Sequence, residues 1–191
     1  MSSTRRVGRL AVGVTGASGV IYAKRFLEVL KMKDIEVHLV VSKVAEKIIQ
    51  YELNLTRESF EKLAKYSYSE DDVDAPLASG SFKIDGMVII PCSMKTIAGI
   101  VSGYTDNLIL RTADVTLKEK RRLILVPRET PLNVIHLRNM LELAKLGVVI
   151  LPAMPAFYHK PEKIEDLVDF IVGKILDLLE IDHDLFKRWS T

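Results

Sequence analysis

The chain has 191 residues, 48% hydrophobic and 27% charged, with a net charge of +2. That is enough for one domain over residues 1–191 with a sizeable core. It supplies no broad basic field for nucleic acid, and a single cysteine, Cys92, excludes an internal disulfide and a multi-cysteine zinc site. No apolar run reaches about 18 residues, so no membrane span is expected. The opening Met-Ser-Ser-Thr-Arg-Arg lacks the apolar core of a signal peptide, so a cytoplasmic protein is expected.

Short, mostly β-branched apolar runs recur at residues 10–14, 35–41, 87–90, 123–126 and 148–151. They are apolar on both alternations, as strands covered on both faces are. Helical patterns alternate with them at 20–32, 44–52, 94–101, 108–120, 132–146 and 164–180. Between 54 and 83 the pattern weakens to a helix near 57–65, a short strand near 66–68 and a polar loop at 69–81. Pro91 is expected to end its strand, Thr130-Pro131 to cap the helix after it, and Gly147 to terminate that helix. Asp34 punctuates the first return connection. The alternation predicts an α/β fold with a doubly wound parallel sheet.

In such sheets ligands collect outside the carboxyl ends of the strands. The segments there are 15–19, 42–43, 91–96, 127–129 and 152–159, and they are expected to converge on one site. The first carries Gly16 and Gly19, which with Gly13 of the strand give the spacing G-x-x-G-x-x-G ahead of a helix, an arrangement that aims backbone N–H groups at a phosphate. A tight structural turn is the plain alternative. The second segment ends strand 2 with Ser42-Lys43, where an NAD site wants a carboxylate for the ribose. A mononucleotide phosphate fits better, and NADP stays open.

Ser93 can cap a helix and face a ligand, with Met94, Lys95 and Thr96 on the turn that follows. Cys92, beside an apolar strand and without a partner histidine, reads as a packing residue. Arg111, Asp114 and Lys118 share one helical face, where Asp114 can brace both cations; a solvated salt-bridge stripe is the alternative. Arg128-Glu129 places a cation and a proton carrier at a strand end, or else an ion pair that closes the loop. His159 follows two aromatics and is either a base or a loop histidine. His38, His136 and His183 have no partner spacing, and no metal site is readable.

Together these motifs resemble the flavin prenyltransferases, the UbiX-like proteins. The resemblance is carried by Thr15-Gly16-Ala17-Ser18-Gly19, Ser42-Lys43, Ala78-Ser79-Gly80-Ser81-Phe82 and Pro91-Cys92-Ser93-Met94-Lys95-Thr96. It continues through residues 113–119, Arg128-Glu129-Thr130-Pro131-Leu132 and Pro155-Ala156-Phe157-Tyr158-His159 to Asp184-Leu185-Phe186 and Trp189. It implies a flavodoxin-like Rossmann three-layer sandwich that binds FMN. It implies transfer of a dimethylallyl group from dimethylallyl monophosphate to N5 and C6 of reduced FMN, without metal. The prenylated FMN would serve a separate decarboxylase in ubiquinone and aromatic-acid systems. It also implies a large homo-oligomer, such as a dodecamer, with sites between subunits.

By the same resemblance Gly16, Ala17, Ser18, Ser42, Ser93, Met94, Lys95, Thr96 and Arg128 hold FMN. Ser18, Lys118, Tyr158 and Lys174 meet the prenyl phosphate, with Arg111 nearby. Glu129 manages the proton and Glu52 is a second carboxylate of the site. Lys174 stands where arginine is common in the family, and Val73 where some members carry tryptophan. Three rivals are weighed. A cysteine-type decarboxylase of the same fold wants an asparagine-methionine loop where this chain has Met154–Tyr158. An NADP-dependent short-chain reductase wants a Tyr-x-x-x-Lys pair that is absent after strand 4. A non-catalytic flavin carrier would leave Lys118, Glu129 and Lys174 surplus.

Overall fold

Strand β1 (Arg9–Val14) buries five successive residues and is the axis of the molecule, a computed structural model that describes residues 7–189. It pairs in parallel with β2 (Glu36–Val41) on one side and β4 (Gly86–Cys92) on the other. With β3 (Tyr66–Tyr68), β5 (Arg122–Pro127) and β6 (Val149–Ile150) the order is β3-β2-β1-β4-β5-β6, parallel throughout. Without the short edge strand β3 this is the flavodoxin order; with it, the order of dinucleotide folds. The expected doubly wound sheet is therefore present.

Alternation along β1 divides the core. Leu10, Val12 and Val14 join a cluster with α1 (Val20–Met32), α2 (Lys43–Leu53) and α7 (Ile164–Leu178). Ala11 faces a second cluster with α4 (Met94–Val101), α5 (Leu108–Lys118) and Leu143 of α6 (Val134–Lys145). Three layers result, each sheet face covered by helices as right-handed crossovers require. The remaining helix, α3 (Arg57–Glu61), is shorter than the pattern predicts and seats Phe60 in the first cluster. Among the described residues no helix is long and apolar enough to cross a membrane.

Two boundaries differ from expectation. Strand β4 runs through Pro91 to Cys92. The pairing with β5 shifts register between Ile89 and Cys92, so the missing proline N–H falls where the ladder is already interrupted. Helix α6 starts after Asn133, not at Thr130-Pro131. Asn133 accepts a hydrogen bond from the His136 N–H, and the His136 ring accepts one from the Asn133 N–H. That reciprocal cap outcompetes the proline as a start. Gly147, with φ of 85°, does end the segment.

At the opposite edge, Glu36 gathers Arg9, Lys65 and His38. His38 is buried, its Nε2 3.0 Å from Glu36 and its Nδ1 2.8 Å from the Tyr68 hydroxyl. Burial pushes its pKa down despite Glu36. A neutral ring that donates to Glu36 and accepts from Tyr68 meets both contacts. Hydrogen bonds from Lys65, then His38 and Arg9, hold the Glu36 carboxyl at about 2, against the opposing pull of desolvation. A carboxyl depressed by folding stabilises the protein above its unfolded pKa and loses that contribution as pH falls through the folded one. Stability should therefore drop between the ordinary glutamate range and about pH 2. Glu36→Gln should lower the urea midpoint at neutral pH and flatten that acid limb.

Candidate active site

Strand order reverses between β1 and β4, because the chain leaves β1 toward β2 and later returns on its other side. The crevice above that reversal is where an α/β sheet takes its ligand. Thr15, the first residue after β1, is 3% exposed and joins the two strand ends. Its Oγ1 donates to the Pro91 carbonyl at 2.9 Å and accepts from the Ser93 N–H at 2.8 Å. Its own N–H also donates to the Pro91 carbonyl, at 3.2 Å. Ser93 then caps α4, its Oγ accepting from the Thr96 N–H at 3.2 Å, with the two side-chain hydroxyls 2.9 Å apart. The expected cap role of Ser93 is present. Thr15 lay in the sequence motif but was not among the predicted site residues. The signal for it is a hydroxyl at the buried end of a strand, beside the glycine turn.

The turn itself is shaped by two glycines. A Cβ on Gly16 would come within 2.5 Å of Val44 Cγ1, so the loop closes on α2 only without one. Gly19 precedes α1 with φ of 100° and has no side chain to cap it. Glu52, from the last turn of α2, supplies the cap. Its carboxylate accepts from the Gly19 N–H at 2.9 Å and the Val20 N–H at 3.1 Å. A carboxylate at a helix N-terminus gains from the helix dipole as well. The sequence reading aims these N–H groups at a phosphate; in the structure they face Glu52.

Ser18, Ala17 and Gly16 form one wall of a cleft of about 390 Å³. Ile48, Tyr51 and Glu52 of α2 form the second, and Ser93, Arg128 and Glu129 complete it. Arg128 reaches across, Nε to the Ser18 carbonyl at 3.3 Å. Glu129 turns back and accepts from the Thr130 N–H at 3.2 Å. The loop is thus tied by Arg128 to the glycine turn, not by the alternative Arg128–Glu129 ion pair. Gly16, Ala17, Ser18, Glu52, Ser93, Arg128 and Glu129, all named from the sequence, line this one cleft. The donor set fits FMN: aliphatic and aromatic side chains for a flat ring, hydroxyls and backbone N–H groups for polar edges, and one guanidinium for negative charge.

The remaining predicted residues do not line that cleft. Ser42 is buried and caps α2 by accepting from the Ala45 N–H at 3.2 Å. Thr96 is buried in the first turn of α4, Met94 is half-buried and Lys95 is exposed. Tyr158 meets the edges of His159, Phe170 and Trp189 at ring separations of 5.7, 5.9 and 5.2 Å. Lys174 lies on α7, Nζ 3.6 Å from Asp177. Arg111 bonds Asp114 at 3.0 Å and the Ala78 carbonyl at 3.1 Å.

Lys118 ends α5 just before β5 begins, at the sheet edge opposite the cleft. It pairs with Glu119 at 3.8 Å. The expectation that Asp114 braces both cations therefore holds only for Arg111, since Lys118 turns to its chain neighbour. A larger open groove of about 880 Å³ lies at that same edge, away from the strands' carboxyl ends. His159 stacks on Phe170 at 5.3 Å, and neither ring nitrogen has a hydrogen-bond partner among the described residues. Cys92 is fully buried, and desolvation pushes its thiol pKa far up, so it packs and does not react. Among the described residues no cluster of three His, Cys, Asp or Glu side chains could hold a metal.

Residues 2–176 match the Flavoprotein family. The chain is 54% identical over 183 residues to a flavin prenyltransferase UbiX of Methanocaldococcus jannaschii, covering 96% of this chain and 99% of that one. A solved structure of AnUbiX (PadA1) in complex with FMN and dimethylallyl pyrophosphate superposes with a TM-score of 0.95 at 51% identity, covering 97% and 99% of the two chains. A dodecameric FMN-dependent UbiX-like decarboxylase of Escherichia coli O157:H7 superposes with a TM-score of 0.94 at 47% identity, covering 96% and 100%.

Glu52 has a structural task that can be separated from any chemical one. Glu52→Ala should cost about 1 kcal/mol in urea denaturation through the lost cap. Glu52→Gln, which keeps an accepting oxygen, should recover part of it.

Proposed function

The chain belongs to the flavoprotein family and within it to the UbiX-like flavin prenyltransferases, and on that premise we propose how its own residues divide the work. The protein is a flavin prenyltransferase acting on FMN. The observation that carries the assignment of roles is the cleft at the strand reversal, where Ser18, Ser93, Arg128 and Glu129 meet around one opening. Gly16, Ala17, Ser18, Ser93 and Arg128 orient the flavin there, and Ser42 with Met94, Lys95 and Thr96 secures the flanks. When bound, reduced FMN supplies the electron-rich N5 and C6 that accept the dimethylallyl group.

The donor is dimethylallyl monophosphate. Its allylic C–O bond breaks with the electron pair going to phosphate, so donors and cations must receive the growing negative charge. Ser18, Tyr158 and Lys174 do this from the same chain. The two bonds to the acceptor would replace the allylic C–O bond and the prenyl double bond, with two protons leaving the acceptor and one returning to the prenyl chain; Glu129 would take up the one left over, and the carboxylate of Glu52 holds the glycine turn in place meanwhile. Lys174 keeps the charge of the more common arginine but not its fork, so the phosphate is gripped with less geometric control. Val73 is 60% exposed and offers no aromatic face to the allylic group.

Arg111 and Lys118 complete the phosphate subsite from a second copy of the chain. The placement of Lys118 across the sheet from its own cleft supports this reading. So does α6, where Val134, Ile135, Leu137 and Leu141 are exposed and only Leu143 is buried. Such an apolar face is a candidate surface for burial between copies. The prenylated flavin is released to a separate decarboxylase in the cytoplasm.

The direct test is anaerobic incubation with reduced FMN and dimethylallyl monophosphate, followed by mass spectrometry of the extracted flavin. We expect a mass greater by one five-carbon prenyl unit. Flavin of unchanged mass would contradict the assignment. Glu129→Ala should bind FMN as the wild type does and yield little of the heavier flavin. Loss of FMN binding in that variant would make Glu129 structural.

A further inference from the structure

Helix α2 carries two apolar stripes, and the core uses only one of them. Ala45 and Ile49, four residues apart, are its buried residues. Val44, Ile48 and Tyr51, at i, i+4 and i+7, share a different face. Val44 closes on the glycine turn, where a Cβ at Gly16 would meet it. Ile48 and Tyr51 continue the stripe into the cleft. Tyr51 is nevertheless 86% exposed, and it is the single aromatic ring among the residues that line the cleft. Among the described residues its hydroxyl has no hydrogen-bond partner and its ring meets no other ring. Its backbone, by contrast, is held. The next residue, Glu52, is fastened to the Gly19 and Val20 N–H groups, and Asn54 closes α2 in the left-handed conformation.

We propose that Tyr51 is a further flavin-binding residue, the aromatic wall of the cleft, whose ring stacks on the isoalloxazine. The inference rests on the reading of this cleft as the FMN site. A lone exposed tyrosine is ordinary on a protein surface. This one ends an apolar stripe at the edge of a cleft whose other lining residues, Ile48 apart, are small, polar or charged. A flat flavin ring takes an apolar or aromatic face against it, and offset stacking adds to what the buried area alone contributes. Tyrosine suits the place because its ring has few side-chain torsions to immobilise, while its hydroxyl can stay in water at the rim. The anchored Glu52 keeps the backbone of its neighbour in position before the flavin arrives, so only the Tyr51 side chain has to be ordered on binding.

The test is titration of oxidised FMN into the flavin-free full-length protein, wild type against Tyr51→Phe and Tyr51→Ala, with the affinity and the emission of the bound flavin read together. A phenol in contact with an excited isoalloxazine lends it an electron and takes it back without emission, so bound FMN should be dim in the wild type. Tyr51→Phe, whose ring stacks but is hard to oxidise, should keep the affinity within about twofold and leave the bound flavin brighter. Tyr51→Ala should bind FMN about tenfold more weakly. Both variants should keep the wild-type urea midpoint without flavin, because the side chain is exposed. Wild-type affinity in Tyr51→Ala, or bound flavin no brighter in Tyr51→Phe, would overturn the proposal. So would weaker binding in Tyr51→Ala that comes with a smaller assembly on size exclusion, because Tyr51 would then be a contact between copies. Arg128→Ala is the control for the cleft itself. Unchanged FMN affinity in that variant as well would overturn the reading of the cleft, and Tyr51 with it.

Discussion

The site depends on a single buried hydroxyl. Thr15 Oγ1 donates to one strand end and accepts from the loop that follows it, so β1 and β4 are tied where the strand order reverses. In a low-dielectric interior such a paired hydroxyl is directional, and leaving its partners unpaired is costly. The consequences run outward in order. Ser93, which lines the crevice, is fixed, and its hydroxyl caps α4. On the other side the glycine turn is fixed and pressed against α2, which delivers Glu52 to the start of α1.

Two kinds of information have different reach in the sequence. Helix α1 and helix α4 have the boundaries that their periodicity predicts, Val20–Met32 and Met94–Val101, because a glycine turn and a serine cap mark their starts locally. Strand β3 is also where the pattern puts it, Tyr66–Tyr68. The start of α6 was not legible, since Asn133 and His136 cap each other through a side-chain pair that no common capping motif encodes. Pro91 reads as a strand end and is instead accommodated at a register shift, a property of the neighbouring strand β5.

The same division holds at the site. Ser93, Arg128 and Glu129 stand at strand ends and were visible from topology alone. The contact of Glu52 with the Gly19 N–H joins residues 33 apart and depends on the packing of α2 against α1. The meeting of Lys174, Arg188 and Asp177 needs the turn after α7 and the absence of a side chain at Gly173, against which Phe186 and His183 pack. Motif order identified the family and hence the chemistry. Contacts such as those of Thr15 with the Pro91 carbonyl and Ser93 N–H, and of Asp177 with Lys174, come from packing that the motif order does not state.

FMN affinity in Thr15→Val tests most directly whether the Thr15 hydroxyl builds the cleft proposed to hold the flavin. Valine keeps the shape and removes both hydrogen bonds, leaving the Ser93 N–H without its partner. With Thr15→Ser as the hydroxyl-retaining control, titration by flavin fluorescence should show FMN binding weaker by about tenfold in the valine variant. The serine variant should bind close to the wild type. Wild-type affinity in Thr15→Val, in a protein that remains folded, would contradict the account.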